Sequence, residues 1–237
     1  MIKMKDNIIA GLQKLTLLDF PGKVACTLFT RGCNFKCPFC HNASLVVRAD
    51  EQKPYSNAEI LAFLKKRSGV LDGVAITGGE PTLMPGLYDF IKEVKALGYA
   101  VKLDTNGTRP EVIKRLVEDK LVDYVAMDIK NHPAKYAYTV GLGENYDLAP
   151  IIESKNYLME GNVDFEFRTT VAKPLHTEED FYLIGEWIKG DEKYFLQQFK
   201  DSGDIIGKEI SSYNESEMEN FLNVLLPFVP NAQLRGV

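Results

Sequence analysis

The sequence predicts an α/β fold, an incomplete (β/α)6 barrel that is a partial TIM barrel. Three observations predict it. Six short runs of apolar and β-branched residues alternate along the chain with segments of helical periodicity. Several of these runs are almost continuously apolar, as strands covered on both faces are. A closed eight-stranded barrel takes about 250 residues, so a chain of 237 with a lead-in arm suits six units better than eight. Such alternation implies a parallel sheet with right-handed crossovers. Ligands then gather at the carboxyl ends of the strands.

The elements follow in order within one expected domain, residues 1–237, whose first 23 residues form an arm leading into the barrel. The first strand is expected at Val24–Thr30. Ser56-Asn57-Ala58-Glu59 reads as a capping box opening a helix with Ile60, Leu61 and Leu64. Gly73–Thr77 is the second strand, and Leu87, Phe90, Ile91, Val94 and Leu97 mark a helix that Gly98 ends. Tyr99–Asp104 is the third strand, and Thr108-Arg109-Pro110-Glu111 starts a helix with Val112, Ile113 and Leu116 inward. Asp123–Ile129 precedes a helical segment from about Asn145 to Met159. Asp164–Val171 is followed by a helix behind Thr177, with Phe181, Ile184 and Ile188. Lys193–Phe199 is the sixth strand, and Asn214-Glu215-Ser216-Glu217 caps a last helix.

Composition narrows the function classes. Hydrophobic residues make up 45% and charged residues 26%, ordinary for a globular core. Net charge is −5, against the dense basic surface that broad nucleic-acid binding needs. No apolar run approaches the ~18 residues of a membrane helix. The opening residues lack a long apolar segment, so no secretory signal is expected. Four cysteines are too few for a disulfide scaffold, and three of them cluster at 33, 37 and 40, which suits a reducing cytoplasm.

That cluster is the chemically sharpest feature. Gly32-Cys33-Asn34-Phe35-Lys36-Cys37-Pro38-Phe39-Cys40-His41-Asn42 follows the first strand, so it lies on a loop at that strand's carboxyl end. Thiolates are soft ligands for zinc and for iron–sulfur clusters. Spacing leaves three readings open: zinc with His41 as fourth ligand, a redox Cys37–Cys40 pair, or a [4Fe–4S] cluster with one open iron. Cys26, inside the first strand, reads as a buried small residue.

Cys33-x3-Cys37-x2-Cys40, with Phe39 before the third cysteine, resembles the signature of the radical S-adenosylmethionine (SAM) superfamily. Further motifs fall at successive strand ends: Thr77-Gly78-Gly79-Glu80-Pro81, Asp104-Thr105-Asn106-Gly107, Asp128-Ile129-Lys130 and Arg168–Val171. Cys40-His41-Asn42 and the lead-in Leu18-Asp19-Phe20-Pro21-Gly22 resemble the glycyl-radical-enzyme activases, above all the activating proteins of anaerobic ribonucleoside-triphosphate reductases. Pyruvate formate-lyase activases usually read Asp-Gly-Pro-Gly-x-Arg; here Phe20 replaces the glycine and Val24 the arginine.

The resemblance implies a [4Fe–4S] cluster held by Cys33, Cys37 and Cys40, with SAM on the fourth iron. It implies reductive cleavage of SAM and abstraction of hydrogen from a glycine of a partner, a glycyl radical enzyme such as anaerobic ribonucleotide reductase. An electron donor such as flavodoxin or ferredoxin is implied too. Gly78 and Gly79 would let backbone approach the SAM methionine, or simply make a tight turn, and Glu80 would meet SAM or a basic side chain. Asp104, Thr105, the Ala126 carbonyl and Asp128 match a monovalent-cation site, and Asn106 could reach the ribose. Lys130 would neutralise the SAM carboxylate, or be a solvated lysine beside Asp128; Arg168 would do similar work, or form an inward core salt bridge; and Phe39 would wall the adenine or pack on the cluster. Asp19 and Gly32 are candidates for holding the glycyl loop, or plain turn residues.

Overall fold

The computed structural model describes residues 9–143 and 146–237. The start of the arm and Asn145, where the fourth helix was expected to begin, lie outside the described residues. The chain divides into two compact units. The first comprises residues up to Asn34, Ser44–Ala126 and Pro150–Asp164; the second comprises Phe35–Ala43, Met127–Ala149 and Phe165–Val237.

In the first unit, β1 (Ile9–Thr16) runs antiparallel to β2 (Ala25–Thr30), with Gln13 opposite Thr27. β2 is parallel to β3 (Gly73–Gly78), and β3 to β4 (Ala100–Thr105). Their covering helices are α2 (Asn57–Lys66), α3 (Leu87–Ala96) and α4 (Pro110–Glu118), with α6 (Ala149–Met159) beyond. Ile60 and Leu64 of α2 and Phe90, Ile91 and Val94 of α3 are the buried faces that the periodicity marked. Ser56 caps α2 in the expected box, its hydroxyl accepting from Glu59 N while Glu59 accepts from Ser56 N. α1 (Ala43–Val47) is a single turn after the cysteine loop.

β5 (Tyr124–Asp128) begins in the first unit and ends in the second. In the second unit, β6 (Asp164–Val171), β7 (Tyr194–Gln198) and β8 (Gln233–Arg235) are successively parallel. α5 (Pro133–Thr139), α7 (Glu178–Trp187) and α8 (Glu215–Leu225) belong here, with Thr177 and Asn214 each closing a capping box. Its core is aromatic, with Tyr136, Phe167, Phe181, Tyr194, Phe199 and Phe221 all buried.

The strands lie in chain order, β1 to β8, and β1 and β8 are edges, so the sheet is open. The incomplete α/β barrel is therefore borne out, with all six expected strands present. Two strands were missed. β1 is half-exposed, lacks clean alternation and carries an exposed Leu15, so it reads as a lead-in. β8 is only three residues long. The helix expected from Thr108 starts two residues later, at Pro110, where a missing N–H costs nothing.

Candidate functional site

In the first unit, β2 ends at Thr30 and the cysteine loop departs through Gly32. Gly79 N donates to Thr30 O and Glu80 N to Gly32 O, each at 2.8 Å, while Gly32 N donates to Leu45 O at 2.7 Å. A Cβ on Gly78 would lie 2.4 Å from Thr30 N, and one on Gly79 would lie 2.0 Å from Gly32 O. The two glycines thus admit the backbone that carries Cys33, and Gly78 holds φ +112° besides. Of the two tasks expected for them, close backbone packing is the one the local geometry displays.

Glu80 is buried and, among the described residues, meets no basic side chain. Its carboxylate accepts from Thr82 N (3.0 Å), Thr82 Oγ1 (2.5 Å), Thr105 Oγ1 (2.8 Å) and Asn106 N (2.6 Å). Burial pushes its pKa up and these bonds pull it back. Glu80 is therefore the pin between the ends of β3 and β4.

At the end of β4, Asp104 is paired with the buried Lys102 ammonium. Thr105 Oγ1 also accepts from Gly107 N at 3.1 Å. Asn106 sits in a closed ring of bonds. Its Oδ1 accepts from Thr108 N (3.1 Å) and Thr108 Oγ1 (2.7 Å), and its Nδ2 donates to Asn34 Oδ1 (2.9 Å). Asn34 Nδ2 returns a bond to Thr108 Oγ1 at 2.9 Å. Asn106 Nδ2 also lies 3.8 Å from Cys33 Sγ. Asn34 was not singled out from the sequence; its place beside Cys33 was the available signal. Asp19, expected near a partner loop, accepts from Thr27 Oγ1 at 2.5 Å.

In the second unit, Cys37-Pro38-Phe39-Cys40 forms a tight turn closed by Cys40 N donating to Cys37 O at 3.0 Å. Lys36 N donates to Val140 O (3.0 Å) and Gly207 N to Pro38 O (2.8 Å), which bolts the turn to two further loops. Burial pushes the Cys40 thiol up, and Lys130 opposes it. Lys130 Nζ lies 2.9 Å from Asp128 Oδ2 and 5.7 Å from the Phe39 ring centre. Arg168 Nε and Nη2 each lie 3.1 Å from Asp128 Oδ1. Burial would raise the Asp128 carboxyl, but the two cations prevail and hold it at about 2. Burial would likewise depress Lys130, yet Asp128 and the Cys37 thiol raise it above its ordinary value. Asp128 thus accepts from both an ammonium and a guanidinium.

His176 stands outside every motif of the sequence. It is fully buried, and Nε2 donates to Lys130 O at 2.9 Å while Nδ1 accepts from Ala172 N at 3.2 Å. Those bonds assign the tautomer, and burial keeps its pKa low, so the ring is neutral. It stacks on Phe181 at 5.8 Å and meets Phe39 edge-on at 6.0 Å. Its place in a loop without a patterned neighbour gave no signal. His41 packs on Phe199 at 5.2 Å, with its pKa lowered by burial and by Lys130. Gln198 Nε2 donates to Tyr213 O at 2.8 Å.

The donor set suits a thiolate-held cluster. In the first unit the Asn106 amide stands beside Cys33, and in the second the Lys130 ammonium acts on Cys37 and Cys40, each a neighbour that favours anionic sulfur. Cys26 is fully buried in β2 and pushed up to about 12 by burial, which makes it inert. A monovalent cation does not fit the carboxylates as they stand: Asp104 already holds Lys102, and Asp128 holds Lys130 and Arg168.

Residues 27–186 match the radical SAM superfamily. The chain belongs to that superfamily and is an enzyme with its cofactor pair, a [4Fe–4S] cluster and SAM. A protein of Methanocaldococcus jannaschii provisionally named a glycyl-radical enzyme activating enzyme is 32% identical over 97% of this chain and 96% of its own length. The pyruvate formate-lyase-activating enzyme of Staphylococcus epidermidis is 32% identical over 54% of this chain and 55% of its own. Among solved structures, Streptococcus suis SuiB bound to S-adenosylmethionine superposes with a TM-score of 0.66 at 14% identity, covering 86% of this chain. The chain spans about half of SuiB, 48% of its length. Among the described residues, no helix is long and apolar enough to cross a membrane.

Proposed function

We propose that this enzyme activates a glycyl radical enzyme, and that its target is an anaerobic ribonucleoside-triphosphate reductase. The observation that carries the activase reading is the 32% identity to a relative of that name along nearly the full length of both chains. The finer reading rests on Asp19-Phe20-Pro21-Gly22-Lys23-Val24, which departs from the pyruvate formate-lyase activase pattern at Phe20 and Val24.

In this reading Cys33, Cys37 and Cys40 hold three irons. Bound there, the cluster and SAM supply the one-electron chemistry that removes a hydrogen atom from a glycine α-carbon of the partner. Lys130 and Arg168 orient the SAM carboxylate. Backbone groups of Gly78 and Gly79 take its amino group, and Phe39 screens the reacting face from water. Glu80, Thr105 and Asn106 hold the β3 and β4 ends in place for it. A small low-potential donor of the flavodoxin or ferredoxin kind supplies the electron.

The test is activation of purified partners under anaerobic conditions with SAM and dithionite. Ribonucleotide reduction should appear with the reductase, while pyruvate formate-lyase in its place stays inactive. The reverse result would move the target to the second enzyme.

A further inference from the structure

We infer that the Asn106 carboxamide is a positioning residue for Cys33 and raises the reduction potential of the cluster that this cysteine holds. The inference rests on the cluster reading above and adds to it a residue that tunes the metal.

Three observations converge on this amide. Its Nδ2 stands 3.8 Å from Cys33 Sγ, within reach of an N–H···S bond. The amide cannot turn over, because Thr108 N and Thr108 Oγ1 both donate to its Oδ1 and Asn34 Oδ1 takes its other N–H. That orientation is therefore assigned by four partners and not by choice of rotamer. The backbone of Asn106 is itself fixed, its N–H given to the buried Glu80 carboxylate at 2.6 Å. The chain of contacts runs from Glu80 at the end of β3, through the end of β4, to the sulfur. Glu80 and Asn106 are buried and Cys33 is partly so, which limits the access of water to the bond.

The direction of the effect follows from charge. Reduction adds an electron to a cluster already negative through its thiolates. A donor N–H on a ligand sulfur stabilises that extra charge, so it favours the reduced state. Removing the donor makes the cluster harder to reduce. Asn106 thereby trades with the reductant: it brings the resting cluster closer to the potential of a cellular electron donor.

The experiment is an EPR-monitored redox titration of the anaerobically reconstituted full-length protein without SAM. Iron and sulfide content and the thermal midpoint are measured alongside. Asn106→Leu keeps the shape and removes the donor; it should load iron and titrate at a more negative potential than the wild type. Thr108→Val leaves the carboxamide but removes the hydroxyl, one of the two donors that hold its Oδ1, and so loosens it; its potential should shift the same way by a smaller amount. An Asn106→Leu protein with full iron and an unchanged potential overturns the inference. Should that variant fail to fold or load, an unchanged potential in Thr108→Val overturns it instead. A wild-type protein that takes up no iron and sulfide would sink the cluster reading itself, a separate result seen before any variant is made.

Discussion

At the scale of the residue, the thiols divide by environment more than by identity. Cys26 is locked in β2 with its pKa pushed up to about 12, while Cys33, Cys37 and Cys40 ride on a loop beside donors and an ammonium. Alanine at any of the last three should abolish iron binding, whereas Cys26→Ala should retain it and lose about 1 kcal/mol of stability to the small cavity. Iron and sulfide analysis checks both. A second residue-scale expectation concerns pH. Asp191 is buried, its Oδ2 has no hydrogen-bond partner, and burial raises its pKa from 3.8 to about 6. Its folded pKa lies above the unfolded one. Stability from this group is therefore fully present below pH 3.8 and is lost as pH rises through about 6. Asp191→Asn should be more stable than the wild type at pH 8 by about 2 kcal/mol, and the gap should close towards pH 4, as denaturant melts would read. The cysteine trio was legible in the sequence because soft donors at close spacing are rare outside metal sites. His176 was not, because its importance is a bond to the Lys130 carbonyl, and backbone partners leave no trace in a motif.

At the scale of the element, the strand ends are joined to the loops by backbone more than by side chains. Gly79 passes against Gly32 so closely that a methyl group would overlap its carbonyl oxygen. Gly79→Ala must displace the segment leading to Cys33, so the variant should fold with reduced iron content, measured after reconstitution. Glu80→Ala would strand the N–H groups of Thr82 and Asn106 and the Thr105 hydroxyl in a buried place, at a cost of about 3 kcal/mol in unfolding free energy. The helix starts were legible because Ser56, Thr177 and Asn214 each precede an acidic residue by three positions; Ser56 closes the expected box, and Thr177 and Asn214 close boxes too. Thr177→Ala should cost about 1 kcal/mol. Thr108 carried the same look of a cap and serves Asn106 instead, since Pro110 begins its helix without one. Edge strands escaped notice for a physical reason: β1 and β8 each pair on one side only, so neither needs the continuous apolar run that marks a covered strand.

At the scale of the whole molecule, the sheet is open, and the cysteine loop and the motifs at Gly78-Gly79, Asp104–Gly107 and Asp128–Lys130 stand at the carboxyl ends of their strands, while Asp19–Gly22 precedes β2. Superfamily membership accounts for the cofactors, and the proposed class of partner rests on the near full-length relative. The choice of reductase rests on a few lead-in residues, which is why partner exchange belongs at this scale. The most direct measurement of the central claim is an EPR spectrum of an anaerobic mixture of reconstituted enzyme, SAM, dithionite and the reductase. The account predicts a glycyl-radical doublet that disappears when Cys33, Cys37 or Cys40 is replaced by alanine, or when the partner's radical-bearing glycine is replaced. A doublet that persists in the cysteine variants, or none with intact iron-loaded enzyme and active partner, would contradict it.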